Sequence, residues 1–409
     1  MGIPTRKQNL DTSSDDKIDP KDLIAMLSVE DFNFYANEYY KKLEKPEALL
    51  GKPFSDPLET PKHLVRLGLM MENLNLAPGV KVLDFGCGTG WISKFIWQMG
   101  CDIIGIDVSE EALRLARILF GKYPIPKSRE SSWDFRLFDG CKLPVKDGKI
   151  DRIVCYDTFH HVPNQKTVID EFYRVLTNRG TIVLSEPIGA HSKSESSQAE
   201  MRQHKVLEND LDLAEVKELF EYAGFSGPKL KVATMPELLI DFQEWKRIVK
   251  KRRVKPVSSS MGIFARLAAI MYFQKGDTLL DSRFADGLIC SLKVEKRQLQ
   301  IKKDVTFWLD IEIKNTGSNL WLCGPEGSIG TVAIGIQELD LETREIKAER
   351  GRVGLEKDAL SGEILKMRIP INLKEIGRHQ LRIDLVSEHV CWFHERGSEP
   401  IILDVDVTE

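Results

Sequence analysis

The chain has 409 residues, too many for one ordinary domain, and its 42% hydrophobic and 29% charged content fits two or three packed cores. A net charge of −4 gives no reason to expect a nucleic-acid binder, and no stretch approaches the ~18 consecutive apolar residues that span a bilayer. The seven cysteines stand singly without a CxxC pair, which argues against a disulfide framework and a zinc site, and for reduced thiols in the cytoplasm.

Residues 1–20 are polar and charged, unlike a secretory leader, and have little to bury, so they read as a disordered tail. From Asp22 to about Leu76 the pattern is helical, with aromatics in DFNFYANEYY and a break at KPEALLGKPFSDPLETP. Strands and helices then alternate, as in parallel βαβ units. Strands are expected at 80–85, 102–106, 134–138, 151–156 and 181–185. A helix through Trp91, Ile92, Phe95, Ile96 and Met99 should stop at Gly100. The next should open at Ser109 as N-cap, with Glu110 and Glu111 favourably placed against its dipole. Val168, Ile169, Phe172, Val175 and Leu176 repeat at helical spacing, and Asp212 with Glu215 should cap a helix carrying Val216, Leu219 and Phe220. Beyond about Gly287, alternating segments such as VTFWLDIEIKN, VAIGIQELD, ILKMRIPINL, HQLRIDLV and IILDVDV predict an antiparallel β-sandwich, with a boundary near QKGDTLLDSRFADG.

The most specific segment is VLDFGCGTGW, a strand running into a glycine-rich turn and then a helix, which lets backbone approach a ligand closely. A GxGxxG dinucleotide fingerprint fails, because Trp91 stands where the third glycine would be. The spacing Gly86, Gly88, Gly90, with Asp84 before it, instead resembles the first motif of class I S-adenosylmethionine-dependent methyltransferases of type 11. Later segments fall in that family's order. Asp107 ends the second strand in IIGIDVS, RLFDGCKLP ends the third at Asp139-Gly140, and DRIVCYDTFHHVPN and VLTNRGTIVLSEP follow.

The resemblance covers residues 80–187 and implies an α/β fold: a doubly wound, mostly parallel seven-stranded sheet spanning 21–278 beneath an N-terminal helical cover. It implies S-adenosylmethionine as cofactor, held by Asp84, Gly86, Cys87, Gly88, Gly90, Asp107, Val108, Asp139, Gly140 and Asp157. Asp107 would accept from the ribose hydroxyls, Val108 would wall the adenine, and Asp139 would meet its amine edge. The closing antiparallel edge strand is expected at AIMYFQKG.

On the acceptor side stand His160 and His161 after the fourth strand, and His191 after the fifth. A hydroxyl acceptor benefits from a general base, and histidine is the natural residue type. His191, His160 and Glu208 are the catalytic candidates, although each also reads as a turn, loop or ion-pair residue. The polar run SEPIGAHSKSESSQAEMRQHKVLEND would form the acceptor-side wall. No metal ligand set is expected. Lys246, Arg247, Lys250, Lys251, Arg252, Arg253 and Lys255 read either as a solvated helix face or as contact with an anionic membrane surface or phosphate. The last stretch, 287–409, is similar in style to polysaccharide-binding β-sandwiches of O-antigen transport proteins. Its Trp321 and Trp392 suit either core packing or sugar stacking. The expected function is O-methylation of a sugar or polysaccharide-related acceptor. The alternatives are methylation of a small metabolite or lipid beside a structural sandwich, and a binding protein without catalysis.

Overall fold

The structure is a computed structural model that describes residues 17–122, 131–232, 268–276 and 280–409. The segment holding Lys246 to Lys255 lies outside the described residues.

Among the described residues three α-helices precede the sheet: α1 (Pro20–Met26), α2 (Val29–Lys42) and α3 (Thr60–Leu74). Ser28 and Asp31 form a reciprocal capping box that fixes the start of α2. The central sheet comprises β1 (Lys81–Phe85), β2 (Asp102–Asp107), β3 (Trp133–Leu137), β4 (Ile150–Tyr156), β5 (Leu176–Pro187), β6 (Ser226–Val232) and β7 (Ala268–Gln274). Its order is β3-β2-β1-β4-β5-β7-β6, and β7 runs antiparallel between β5 and β6, at the segment expected to close the sheet. Helices α4 (Trp91–Gln98), α5 (Glu110–Gly121), α6 (Gln165–Val175) and α8 (Leu213–Tyr222) cover its two faces, with the expected caps Ser109 and Asp212 in place. The strands carry near-continuous apolar runs because both faces are buried, Ile153, Val154, Ile182 and Val183 being sealed completely or nearly so.

The run from Ser185 to Asp210 is not a bare loop. It contains a 3-10 turn (His191–Lys193) and a helix, α7 (Glu195–His204), whose N-cap Ser194 accepts from the Ser197 amide. Gln198 of α7 exchanges hydrogen bonds with the Ile18 backbone, and Ile18, Leu23, Phe32, Met201 and Leu207 form a small core joining α7 to the N-terminal helices.

The C-terminal strands are β8 (Cys290–Val294), β9 (Gln298–Lys302), β10 (Phe307–Asn315), β11 (Val332–Leu339), β12 (Ile346–Gly354), β13 (Ile364–Ile371), β14 (Gly377–Ser387), β15 (Cys391–Trp392) and β16 (Ile401–Thr408). They form two sheets, β13-β10-β8 and β12-β11-β14-β16-β9, whose inner residues share one core that includes Ile311, Ile313, Ile334, Ile369 and Ile383. The expectation of a purely antiparallel module needs one correction: β9 pairs with β16 in parallel. Nearly the whole module separates those strands in sequence, so no hairpin dictates their direction. Trp321 is fully buried edge-on to Phe393, so it is core and not a sugar platform. Trp392 lies over Gly335 with the Arg352 guanidinium 4.5 Å from its ring.

The sandwich meets the central sheet through Arg283. Its guanidinium donates to Asp151 (2.8 Å), to the Gly79 carbonyl (3.2 Å) and to Asp281 (2.7 Å). Asp151 and Gly79 lie at the amino ends of β4 and β1. The carboxyl ends, where a doubly wound sheet binds its ligands, face the other way.

Candidate active site

The turn after β1 is shaped by contacts that exclude side chains. Gly86 has φ +65°, and a Cβ placed there would stand 2.0 Å from Thr158 Cγ2. The amides of Gly86 and Cys87 both donate to the Ile106 carbonyl, and the Gly88 amide donates to Asp107 Oδ2 at 2.8 Å. Asp107 Oδ1 accepts from the Ser109 amide, so this carboxylate knits the glycine turn to the start of α5. Burial raises its pKa, against the pull of those backbone donors.

A cavity of about 370 Å³ opens on this turn. It is lined by Gly86, Cys87, Gly88, Asp107 and Val108 from the sheet edge, Tyr156, Asp157 and Thr158 from the end of β4, Ala36, Tyr39 and Tyr40 from α2, and Glu200 from α7. An apolar recess continues it past Val108, Phe138, Gly140, Phe32 and Val29. Helix α2 therefore roofs the cavity. Its Asn37 accepts from Ser109 Oγ and the Glu111 amide, and its Asn33 donates to the Asp139 carbonyl.

Two of the expected cofactor residues are occupied elsewhere. Asp84 is buried beneath the turn and accepts from the Ser93 hydroxyl (2.6 Å) and amide (3.1 Å), so it orients α4 and does not line the cavity. Burial pushes its pKa up to about 7. Asp139 turns its Oδ1 onto the amides of Cys141 and Lys142, and its neighbour Gly140 lines the recess. Gly90, the N-cap of α4 at φ +77°, closes the turn by donating its amide to the Cys87 carbonyl.

Asp157 sits just past β4 in a left-handed conformation, φ +48°. Burial would raise its pKa, but the Arg66 guanidinium beside it holds it below the ordinary value. Arg66 comes from α3, and it also donates to the Ser185 hydroxyl and carbonyl and lies 4.1 Å over the Tyr156 ring. Neither Arg66 nor the α2 tyrosines carried a sequence signal for this role, because they reach the site only through the packing of the N-terminal helices.

A second cavity adjoins the first, lined by Arg66, Asp157, His160, His161, Pro187, His191 and Glu208. It shares Asp157, His161 and Glu208 with the first cavity. All three catalytic candidates meet here. His191 Nε2 lies 2.7 Å from Glu208 Oε2, and Ser197 Oγ donates to the same oxygen. His160 Nδ1 lies 2.6 Å from Glu186 Oε2, while Glu186 Oε1 also accepts from the amides of Thr158 and Phe159. Burial disfavours a charged His160, but the bond to Glu186 outweighs it and raises the pKa; desolvation beside it takes the half-buried His161 down to about 4. Burial would raise the pKa of Glu208, but the surrounding imidazoles, led by the hydrogen bond to His191, lower it.

With this geometry in view, comparisons with known proteins agree on the domain. Residues 83–184 match the family described as a methyltransferase domain. An uncharacterised methyltransferase of Schizosaccharomyces pombe is 30% identical over 112 residues, 27% of this chain and 39% of its own length. The ubiquinone biosynthesis O-methyltransferase of Xanthomonas campestris is 30% identical over 157 residues, 37% of this chain and 62% of its own. The chain thus spans 39% to 62% of the length of these curated relatives. Among solved structures, a phosphoethanolamine N-methyltransferase of Haemonchus contortus, in complex with phosphomonomethylethanolamine and S-adenosylhomocysteine, is 18% identical over 61% of each chain, with a TM-score of 0.43. The matched segment holds the glycine turn and the strands β2, β3 and β4 with most of β1 and of β5, so the match falls on a methyltransferase domain, an enzyme domain whose cofactor is S-adenosylmethionine.

The cavity suits that cofactor. It combines a backbone cradle, the carboxylate of Asp107 and an apolar recess, and Glu200 Oε2 on its wall is buried without a hydrogen-bond partner.

Proposed function

We propose that the chain is an S-adenosylmethionine-dependent O-methyltransferase whose acceptor presents a hydroxyl group to the cavity beside His191 and Glu208. The observation that carries this reading is the sharing of Asp157, His161 and Glu208 between the two cavities. An acceptor in the second cavity has direct reach into the first. The similar ubiquinone biosynthesis enzyme is by its name an O-methyltransferase, which is in line with a hydroxyl acceptor.

On this reading residues 21–278 are the catalytic unit and 287–409 the sandwich. The turn residues Gly86, Cys87, Gly88 and Gly90 cradle the cofactor by their backbone, Asp107 accepts from its ribose hydroxyls, and Val108 and Gly140 flank the adenine recess. When bound, S-adenosylmethionine supplies an electrophilic methyl group set for in-line displacement. The protein's work is then to hold the acceptor oxygen aligned, exclude water and remove a proton. Helix α2 and α7 close the site, Arg66 fixes Asp157 at its floor, and His191, oriented by Glu208, takes the proton.

The sandwich does not supply acceptor contacts within one chain on this reading. Its anchor Asp151 is six residues before Asp157 along one strand direction, about 20 Å from the cavity. A glycan remains one acceptor that the second cavity admits, reached from solvent and not handed over by the sandwich.

The test is calorimetric titration of the full chain with S-adenosylmethionine. Wild type should bind one equivalent, and Asp107→Ala should bind about 100-fold more weakly, since it loses both the ribose acceptor and the tie to Gly88. Absence of binding by folded wild type sinks the reading.

A further inference from the structure

We propose that His160, His161 and Glu208 form a divalent transition-metal site, and that the ion holds the acceptor's hydroxyl oxygen. The ligand-bearing atoms of these three residues all lie within 4.8 Å of one another, and His160 and Glu208 are buried. His160 Nε2 stands 3.8 Å from Glu208 Oε2. Two donors on a tetrahedral ion sit roughly 3.3 Å apart at the usual zinc–nitrogen and zinc–oxygen lengths, so side-chain movements of up to about 1.5 Å close the set.

The surroundings are those of a ligand set already oriented. A carboxylate only accepts, so His160 Nδ1 carries the proton it shares with Glu186, and Nε2, on the Glu208 side, is the nitrogen a metal would take. That carboxylate–histidine pairing is the outer support metal-bound imidazoles characteristically have. His161 Nδ1 donates to the Leu207 carbonyl, which leaves Nε2 as the nitrogen free to ligate. Glu208 in turn is held by His191 and Ser197, which both contact Oε2. Each of the three proposed ligands thus has a partner outside the set. A solvated ion-pair cluster does not need that arrangement.

Two imidazoles and one carboxylate leave coordination positions open, as catalytic sites do and closed structural sites do not. Glu208 and His161 line both cavities, so the open positions face the junction of cofactor and acceptor. A hydroxyl oxygen bound there has its O–H bond weakened: the O–H electron pair stays on oxygen as a metal-bound alkoxide or phenolate, and the proton passes to His191, which is not a ligand. The thiol-based expectation of no metal does not bear on this set, which uses no cysteine. The acceptor's part rests on the methyltransferase reading above; the metal site does not.

The test titrates the full-length chain, stripped with chelator, with Co²⁺ and Zn²⁺, and in parallel with Mg²⁺. Wild type should take up one equivalent of Co²⁺, with a visible absorption band from nitrogen ligation, and bind Zn²⁺ far more tightly than Mg²⁺, which prefers all-oxygen sites. His161→Ala and Glu208→Gln should each weaken Co²⁺ binding about 100-fold and lose the band, while Asp107→Ala binds Co²⁺ as wild type does. Circular dichroism and retained S-adenosylmethionine binding establish that the two ligand variants are folded. No stoichiometric uptake by wild type, uptake unchanged in folded Glu208→Gln, or Mg²⁺ bound as tightly as Zn²⁺ would each overturn the site. Failure of S-adenosylmethionine binding with Co²⁺ uptake intact sinks the function proposed above and leaves the metal site standing.

Discussion

Arg66 and Asp157, 91 residues apart in the chain, are joined by two hydrogen bonds of 2.5 and 2.9 Å. The fork binds the N-terminal helices to the carboxyl end of β4, and two further bonds to Ser185 extend the clamp to β5. One guanidinium therefore sets the spacing of the two strands that carry His160, His161 and Glu186 to the site.

Arg66→Ala should lower stability on the order of 1–2 kcal/mol, less than for a sealed ion pair, because the Asp157 side chain keeps 37% of its exposure. Arg66→Lys should recover little of this, since an ammonium cannot make the planar two-pronged contact. Urea denaturation of both variants, with Asp157→Asn completing a double-mutant cycle, checks the coupling. Additive effects would show that the clamp carries no energy of its own.

Gly86→Ala combines two separable costs. The residue must keep φ +65°, and its new Cβ would lie 2.0 Å from Thr158 Cγ2 and 2.5 Å from Oγ1. The expected loss is about 2–4 kcal/mol, with cofactor affinity falling alongside. Adding Thr158→Gly to Gly86→Ala should restore the steric part and leave the strain. If the double variant is no more stable than the single one, overlap with Thr158 is not the cause.

The sheet and its glycine turn were legible because their signals are local. Strand runs alternate with amphipathic helices, and Gly86, Gly88 and Gly90 stand together in sequence. What escaped was either non-local or unpatterned. Arg66, Tyr40 and Glu200 reach the cavity by packing of helices whose sequences say nothing of where they dock. Helix α7, ESSQAEMRQH, has Met201 as its one large apolar side chain, so its stripe is too thin to register as periodicity. The edge strand β12 is mostly polar and exposed, hence without alternation. Asp84 shows a different limit: its place in the motif was readable, but not that its carboxylate points beneath the turn to Ser93.

Arg283 is the joint between sandwich and sheet, with 10% of its side chain exposed between Asp151 and Asp281. Arg283→Ala strands two half-sealed carboxylates, and about 3–5 kcal/mol of stability should go with it. The joint lies at the amino ends of the strands, so S-adenosylmethionine affinity should change less than about threefold at temperatures where the variant is folded. Calorimetry for stability and titration for affinity decide this. A large affinity loss would place the sandwich in the working site after all.

Asp84 gives the protein a pH dependence of unusual sign for a carboxylate. Burial lifts its folded-state pKa from 3.8 to about 7, with the nearby Asp107 adding to the lift and the Ser93 bonds opposing it. The folded state therefore holds this proton more tightly than the unfolded state does. The stability so gained is complete below pH 3.8 and is lost as pH rises through about 7. Asp84→Asn keeps an oxygen for Ser93 and has nothing to ionise, so its stability should stay flatter between pH 5 and 8, while wild type should weaken by a few kcal/mol across that range. Urea denaturation at half-unit pH steps measures both curves. Parallel curves would mean that Asp84 is already ionised in the fold at pH 5, with the Ser93 bonds outweighing its burial.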